Sequence, residues 1–179
     1  MQDTTVAANP NSLTRTPDRR VLLLLLSALV FIIDYVSKRL INHFIPSGIP
    51  ITLIPGVLRL THVLNTGAAF SIFAESAAPH TVRYGLIAFS IIAAIIVFIM
   101  LWRTGRTLSS GSVALALILG GALGNLYDRV VYHHVIDFIE VKIVHYHYPD
   151  FNIADSAIVI GACLLFFEIF RPQPKEYPR

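Results

Sequence analysis

Between Gly120 and Asp137 the chain reads GGALGNLYDRVVYHHVID, an apolar run that ends in Asn125, Asp128 and Arg129 before a short loop delivers Asp137. Positions i, i+3 and i+4 share one helix face, so these polar groups can point into a protein interior while the leucines face lipid. Two other acids stand in apolar surroundings, Asp34 and Asp155. Asp34 has Lys38 one turn on, and Asp128 has Arg129 beside it, so each can be balanced locally. Asp137 and Asp155 have no basic neighbour within four residues. Two unpaired carboxyls held together in a partly dry site share a proton, because like charges a few ångströms apart cannot both ionise. That is aspartic-hydrolase chemistry: the ionised member takes a proton from water as it attacks a carbonyl, and the protonated member donates to the carbonyl oxygen or the leaving amine. A helix terminus favours an ionised Asp155, which makes Asp155 the base and Asp137 the acid at rest. Plainer readings exist. Asp128 and Arg129 can mark where a helix meets headgroups, and Asn152 with Asp155 can simply cap a helix.

Other chemistries find less support. His133, His134, His145 and His147 share one segment, but no HExxH pattern is present and their spacing defines no helical ligand face, so no metal and no cofactor are expected. Ser71 and Ser156 have no base at useful spacing, and Ser37 and Lys38, being consecutive, diverge on a helix. Cys163 stands alone in an apolar run and reads as a core thiol.

The elements that must position these residues are membrane spans. Of the 179 residues, 55% are hydrophobic, and the mean hydropathy is +0.66; soluble domains have about 45–50%. A 1–20 polar tail reads as disordered and cytoplasmic, 21–171 as one membrane domain, and 172–179 as a second cytoplasmic tail. Spans are predicted over about 21–41, 82–102, 112–132 and 153–170, each long enough at ~1.5 Å per residue to approach the ~30 Å of a bilayer core. The first is not a cleaved leader, because no small-residue site closes its apolar core. The 42–81 connection has Pro46, Gly48, Pro50, Pro55 and Gly56 as turn markers around ITLI and VLRLTHV, which predicts short strands at the membrane surface. NTGAAFS, Asn65 to Ser71, is rich in small residues, which allow close backbone approach to a neighbour or a ligand, or simply form a tight turn leading into a helix. Gly120 with Gly124, and Ala157 with Gly161, are spaced for close helix packing. Basic residues gather on one side of a four-span arrangement, which places both termini in the cytoplasm and the acids near the outer leaflet. The net charge of +3 therefore reflects topology, and no nucleic-acid partner is expected.

DYVSK (Asp34 to Lys38), NTGAAFS, GGALGNLYDR (Gly120 to Arg129), VIDF (Val135 to Phe138) and FNIADSAI (Phe151 to Ile158) stand in the order and spacing of the bacterial lipoprotein signal peptidases, the type II signal peptidases. The chain resembles that family from about Val21 to Phe170. The resemblance implies a four-helix membrane bundle with a small extracytoplasmic β-cradle between the first two helices. It further implies an inner-membrane aspartic endopeptidase that cuts prolipoproteins before a diacylglyceryl-modified cysteine. By the same resemblance Asp137 and Asp155 form the catalytic pair. Asp34, Lys38, Asn65, Asn125, Asp128, Arg129 and Asn152 bind substrate or brace the site, and globomycin-type peptides inhibit; Gly67 is expected to leave room for the peptide in a cradle formed by the 42–81 strands. The partners expected are the prolipoprotein and membrane lipids, with the enzyme a monomer. A proton-coupled carrier, a structural membrane subunit and a metalloprotease are the competing readings. Against a carrier, no chain of ionisable groups continues to the cytoplasmic side.

Overall fold

A computed structural model describes residues 17–67, 79–143 and 146–170. Within them lie four helices, α1 (Arg20–Phe44), α2 (Pro79–Thr104), α3 (Ser110–Val131) and α4 (Ile153–Ile169), and four strands, β1 (Ile51–Ile54), β2 (Leu58–Asn65), β3 (Val135–Ile143) and β4 (Tyr146–His147). The first three helices are long and apolar enough to cross a membrane. The fourth is equally apolar but has 17 residues, just under the usual span of about 20.

The helices are built for lipid. On α1 the buried residues are Leu23, Ser27, Val30, Asp34, Lys38 and Ile41, a stripe recurring every three or four positions. Leu25, Leu29, Ile32, Val36 and Leu40 face outward. Lipid tails are as apolar as leucine, so this bundle is held by close packing and buried polar bonds rather than by water exclusion. α3 sits at the centre and packs against α1, α2 and α4. Its small residues allow this. A Cβ on Gly120 would lie 2.6 Å from the Ser27 carbonyl oxygen of α1, one on Gly121 would strike the Ala154 carbonyl of α4, and one on Gly124 would lie 2.5 Å from Asp34 Oδ2. Ser27 Oγ adds a 2.8 Å bond to the Ala116 carbonyl across the α1–α3 contact.

Gly124 is the position where helix packing and buried charge meet. Gly124→Ala must displace the Asp34 carboxylate, and overpacking of this kind costs about 1–3 kcal/mol. The expected result is a melting temperature lowered by several degrees in detergent. Gly85→Ala, where a Cβ meets nothing within 4 Å, should leave it unchanged or raise it, because alanine is the better helix former.

The sheet has the order β1-β2-β3-β4, all antiparallel. Only β1 and β2 were expected; β3 and β4 come from the segment between α3 and α4. The reason β3 is hard to read is that Val135, Ile136, Asp137 and Phe138 are all buried, so the period-2 alternation that marks a half-exposed strand is missing. Its register sets the site: Val63 faces Asp137 and Asn65 faces Val135. Phe151 then bridges to Ile139, its carbonyl accepting from Ile139 N at 2.8 Å and its N–H donating back at 3.1 Å. This draws the start of α4 alongside β3. Ile41, Ile45, Ile136 and Phe138 form an apolar cluster that fastens the sheet to the end of α1.

Candidate active site

Four polar side chains from α1 and α3 form the base of the site. The Lys38 ammonium, with none of its side chain exposed, lies 2.7 Å from Asp34 Oδ2 and 3.0 Å from Asp128 Oδ2. Its third hydrogen goes to Asn125 Oδ1 at 3.0 Å, so all three donors are used. A buried ammonium demands such saturation, since an ion removed from water without partners is strongly destabilising. Asp34 also accepts the Ala154 N–H at 2.9 Å, which satisfies one of the open donors in the first turn of α4. Thus α1 holds in place the helix end that carries Asp155.

The expected local balance of Asp128 by Arg129 is corrected here. Asp128 is balanced by Lys38 and, at 3.7 Å, by Arg39. Adjacent helix residues project about 100° apart, so when Asp128 faces α1, Arg129 faces elsewhere. Its charge couples most strongly to Asp155 and then Asp137, ahead of Asp128, and its Nη1 donates to the Asn125 carbonyl at 3.4 Å.

Three asparagines orient the two remaining acids. Asp137 accepts from Asn65 Nδ2 at 2.9 Å and from Asn152 Nδ2 at 2.7 Å. Asp155 accepts from Asn125 Nδ2 at 2.7 Å and from the Asn152 backbone N–H at 3.3 Å. Asn152, wholly buried, therefore touches both acids. Each asparagine has its carbonyl oxygen held by a group that can only donate: Gly67 N for Asn65 at 2.8 Å, Lys38 Nζ for Asn125, and Asp155 N for Asn152 at 2.9 Å. With the oxygens so committed, the NH₂ groups must face the carboxyls. The capping function of Asn152 and Asp155 is also present, as a reciprocal capping box on α4. Burial pushes the Asp137 carboxyl up to about 6; the Asn65 bond opposes this and the nearby Asp155 charge adds to it.

Residues 26–171 match the family model described as Signal peptidase (SPase) II. The chain belongs to the signal peptidase II family. This is an aspartic peptidase family, so the chain is an enzyme of that class. It is 43% identical over 160 residues to the lipoprotein signal peptidase of Pseudomonas putida, covering 89% of this chain and 92% of the relative. It is 42% identical over 150 residues to that of Pseudomonas aeruginosa, covering 82% and 86%. Among solved structures it resembles a bacterial membrane enzyme determined by the in meso method at 1.9 Å, with a TM-score of 0.73, 31% identity, and coverage of 89% of this chain and 99% of that one.

Within this signal peptidase II, Asp34, Lys38, Asn65, Asn125, Asp128, Arg129, Asp137, Asn152 and Asp155 come together as one network, and Gly67 joins it through its N–H. Gly67 has φ +98°, a left-handed backbone that favours glycine, and a Cβ there would lie 2.6 Å from Leu86 Cδ1 of α2. The close approach expected at Gly67 is made here by a neighbour, Leu86. Ala68 to Ser71 lie outside the described residues. Of the histidines, His147 donates through Nδ1 to Glu140 Oε1, 2.9 Å away, a carboxylate that the hydrogen bonds it accepts from Arg59 hold below the usual range. His145 lies outside the described residues. Among those described, no group of three or more His, Cys, Asp or Glu is arranged to hold a metal.

Proposed function

We propose that this signal peptidase II removes the signal peptide of prolipoproteins by cutting before the diacylglyceryl-modified cysteine, with Asp155 as base and Asp137 as acid. The observation that carries the assignment is the asparagine lattice, in which Asn152 joins both carboxyls and Asn65 and Asn125 hold their outer oxygens. Asp155, third residue of α4, carries the negative charge that a helix start favours. Burial gives Asp137 its higher proton affinity. Asp155 takes a proton from water as the water oxygen bonds to the scissile carbonyl carbon, and Asp137 gives its proton to the carbonyl oxygen. When the tetrahedral gem-diol collapses, one of its hydroxyls returns its proton to Asp137 as the carbon–nitrogen bond breaks, and the amine of the cysteine takes the proton held by Asp155, so one proton remains shared between the acids. Arg129, coupled to both, offsets the negative charge of the site.

The orientation we propose puts both termini in the cytoplasm and this site near the outer leaflet of the inner membrane. Arg19 N donates to the Arg106 carbonyl at 3.3 Å and the Arg20 guanidinium lies 4.7 Å from the Trp102 ring. A basic, Trp-bearing end of this kind, opposite the sheet, suits a cytoplasmic interface. Globomycin-type peptides would occupy the same site, and the enzyme would act as a monomer.

The test is cleavage by detergent-purified protein. A diacylglyceryl-modified prolipoprotein should be cut before its cysteine in the presence of a chelator, and the unmodified precursor should remain intact. Equal cleavage of both would remove the lipid requirement from the proposal, and loss of activity with chelator would replace the dyad by a metal.

A further inference from the structure

One cation beside the network has no part in the reaction above. The Arg39 guanidinium lies 4.0 Å from the ring centroid of Tyr132 and 5.6 Å from that of Tyr35. These rings are themselves fixed by Tyr127, edge-on to Tyr35 at 5.5 Å and to Tyr132 at 6.0 Å. Arg39 is therefore clamped between α1 and the end of α3 by aromatic faces, where a planar guanidinium is held better than a lysine ammonium. Its Nη2 reaches only to 3.7 Å of Asp128 Oδ1, beyond hydrogen-bond length, so what it gives Asp128 is charge and not a directional bond. The buried cluster needs that charge. Asp34 and Asp128 carry two negative charges against one on Lys38, and Arg39 brings the sum to zero.

We propose that Arg39, held by Tyr35 and Tyr132, is a positioning residue: by balancing Asp128 from its far side it leaves Lys38 free to hold Asn125, the amide that orients Asp155. Lys38 divides its hydrogens among Asp34, Asp128 and Asn125. Without Arg39, Asp128 draws Lys38 toward itself, and the Lys38–Asn125–Asp155 chain loosens. An uncompensated negative charge also then sits among Asp34 and Lys38 of α1, Asn125 and Arg129 of α3, Asp155 of α4 and Asp137 of β3. It makes the dyad hold its second proton to higher pH.

This inference rests on the dyad reading for its kinetic arm and on none of it for its thermal arm. In purified full-length protein, Arg39→Gln should lower kcat about 10- to 100-fold with KM within about twofold, and move the acid limb of the kcat profile to higher pH. Arg39→Lys should lose less and keep the wild-type limb. In melts without substrate, the double variant Arg39→Gln/Asp128→Asn, whose cluster is again neutral, should melt no lower than Arg39→Gln alone. If Arg39→Gln does not fold, the kcat loss of Arg39→Lys at constant KM carries the kinetic arm. An unchanged kcat and pH profile in folded Arg39→Gln, a rise in KM alone, or additive thermal losses in the double variant would each overturn the inference. A wild type that cleaves no prolipoprotein would overturn the functional reading alone, and the thermal comparison would still decide the role of Arg39.

Discussion

Asp137→Asn and Asp155→Asn should each reduce the turnover of diacylglyceryl-prolipoprotein by at least about 10³-fold while leaving the protein folded, because in the proposed dyad each removes one partner of a proton transfer that neither amide can perform. The shape of both residues is preserved, and the asparagine neighbours keep at least one acceptor at each position. The two variants separate in their thermal behaviour. Burial raises the proton affinity of Asp137 in the folded state, from an ordinary 3.8 to about 6. A folded-state value above the unfolded one means that the protonated form stabilises the fold. That contribution is fully present below the unfolded value and is lost as pH rises through about 6. Asp137→Asn has no such loss. Its melting temperature relative to wild type should therefore rise between pH 4 and pH 7 and then level off, read by fluorimetry across a pH series. A constant difference across that range would show that Asp137 is not the buried acid. Retained cleavage in either variant would move the catalytic role to another residue.

Lys38→Met is the second substitution with a large expected effect. Lys38 is wholly buried among Asp34, Asp128 and Asn125, and methionine supplies the volume but no charge. Two carboxylates then face each other in a dry gap, with Arg39 touching only Asp128 and at 3.7 Å. Removing one member of a buried ionic cluster costs about 3–5 kcal/mol, which lowers the melting temperature of a chain this size by about 10 °C or more. Asn125 loses the donor that fixes its amide, so Asp155 loses its orientation and cleavage falls even at temperatures where the protein is folded. The triple variant Asp34→Asn/Lys38→Met/Asp128→Asn removes the unpaired charges. It should recover much of the melting temperature and none of the activity. Full stability of Lys38→Met alone would mean that the cluster is hydrated and that the network is not held by its charges.

These outcomes also separate what local sequence could say from what it could not. Spacing along a helix is local: Asp34 and Lys38 at i, i+4 predict their pairing, and the pair forms at 2.7 Å. The same reasoning misassigned Asp128, since adjacency in sequence is not adjacency on a helix, and its cations come from α1. Asp137 and Asp155 stood out in the charge accounting as unpaired. The structure brings both to Asn152 by pairing β3 with β2 and bridging Phe151 to Ile139, contacts between segments far apart in the chain.

By itself the sequence determined the membrane class, the four apolar helices, the polar layer confined to one end and, through the resemblance of its motifs, the family. Each of these depends on composition, helical period or residue identity in short stretches, which no tertiary contact is needed to define. Tertiary structure alone decided that β3 is a strand buried on both faces, that Leu86 lies close against Gly67, that Asp128 takes its cations from α1, and that Arg39 completes the charge of the buried cluster. These are long-range pairings, and in a lipid-facing bundle they follow from which small residues let which helices approach. Gly120 and Gly124 bring α3 onto α1, Gly121 brings it onto α4, and with that convergence the charges find their partners.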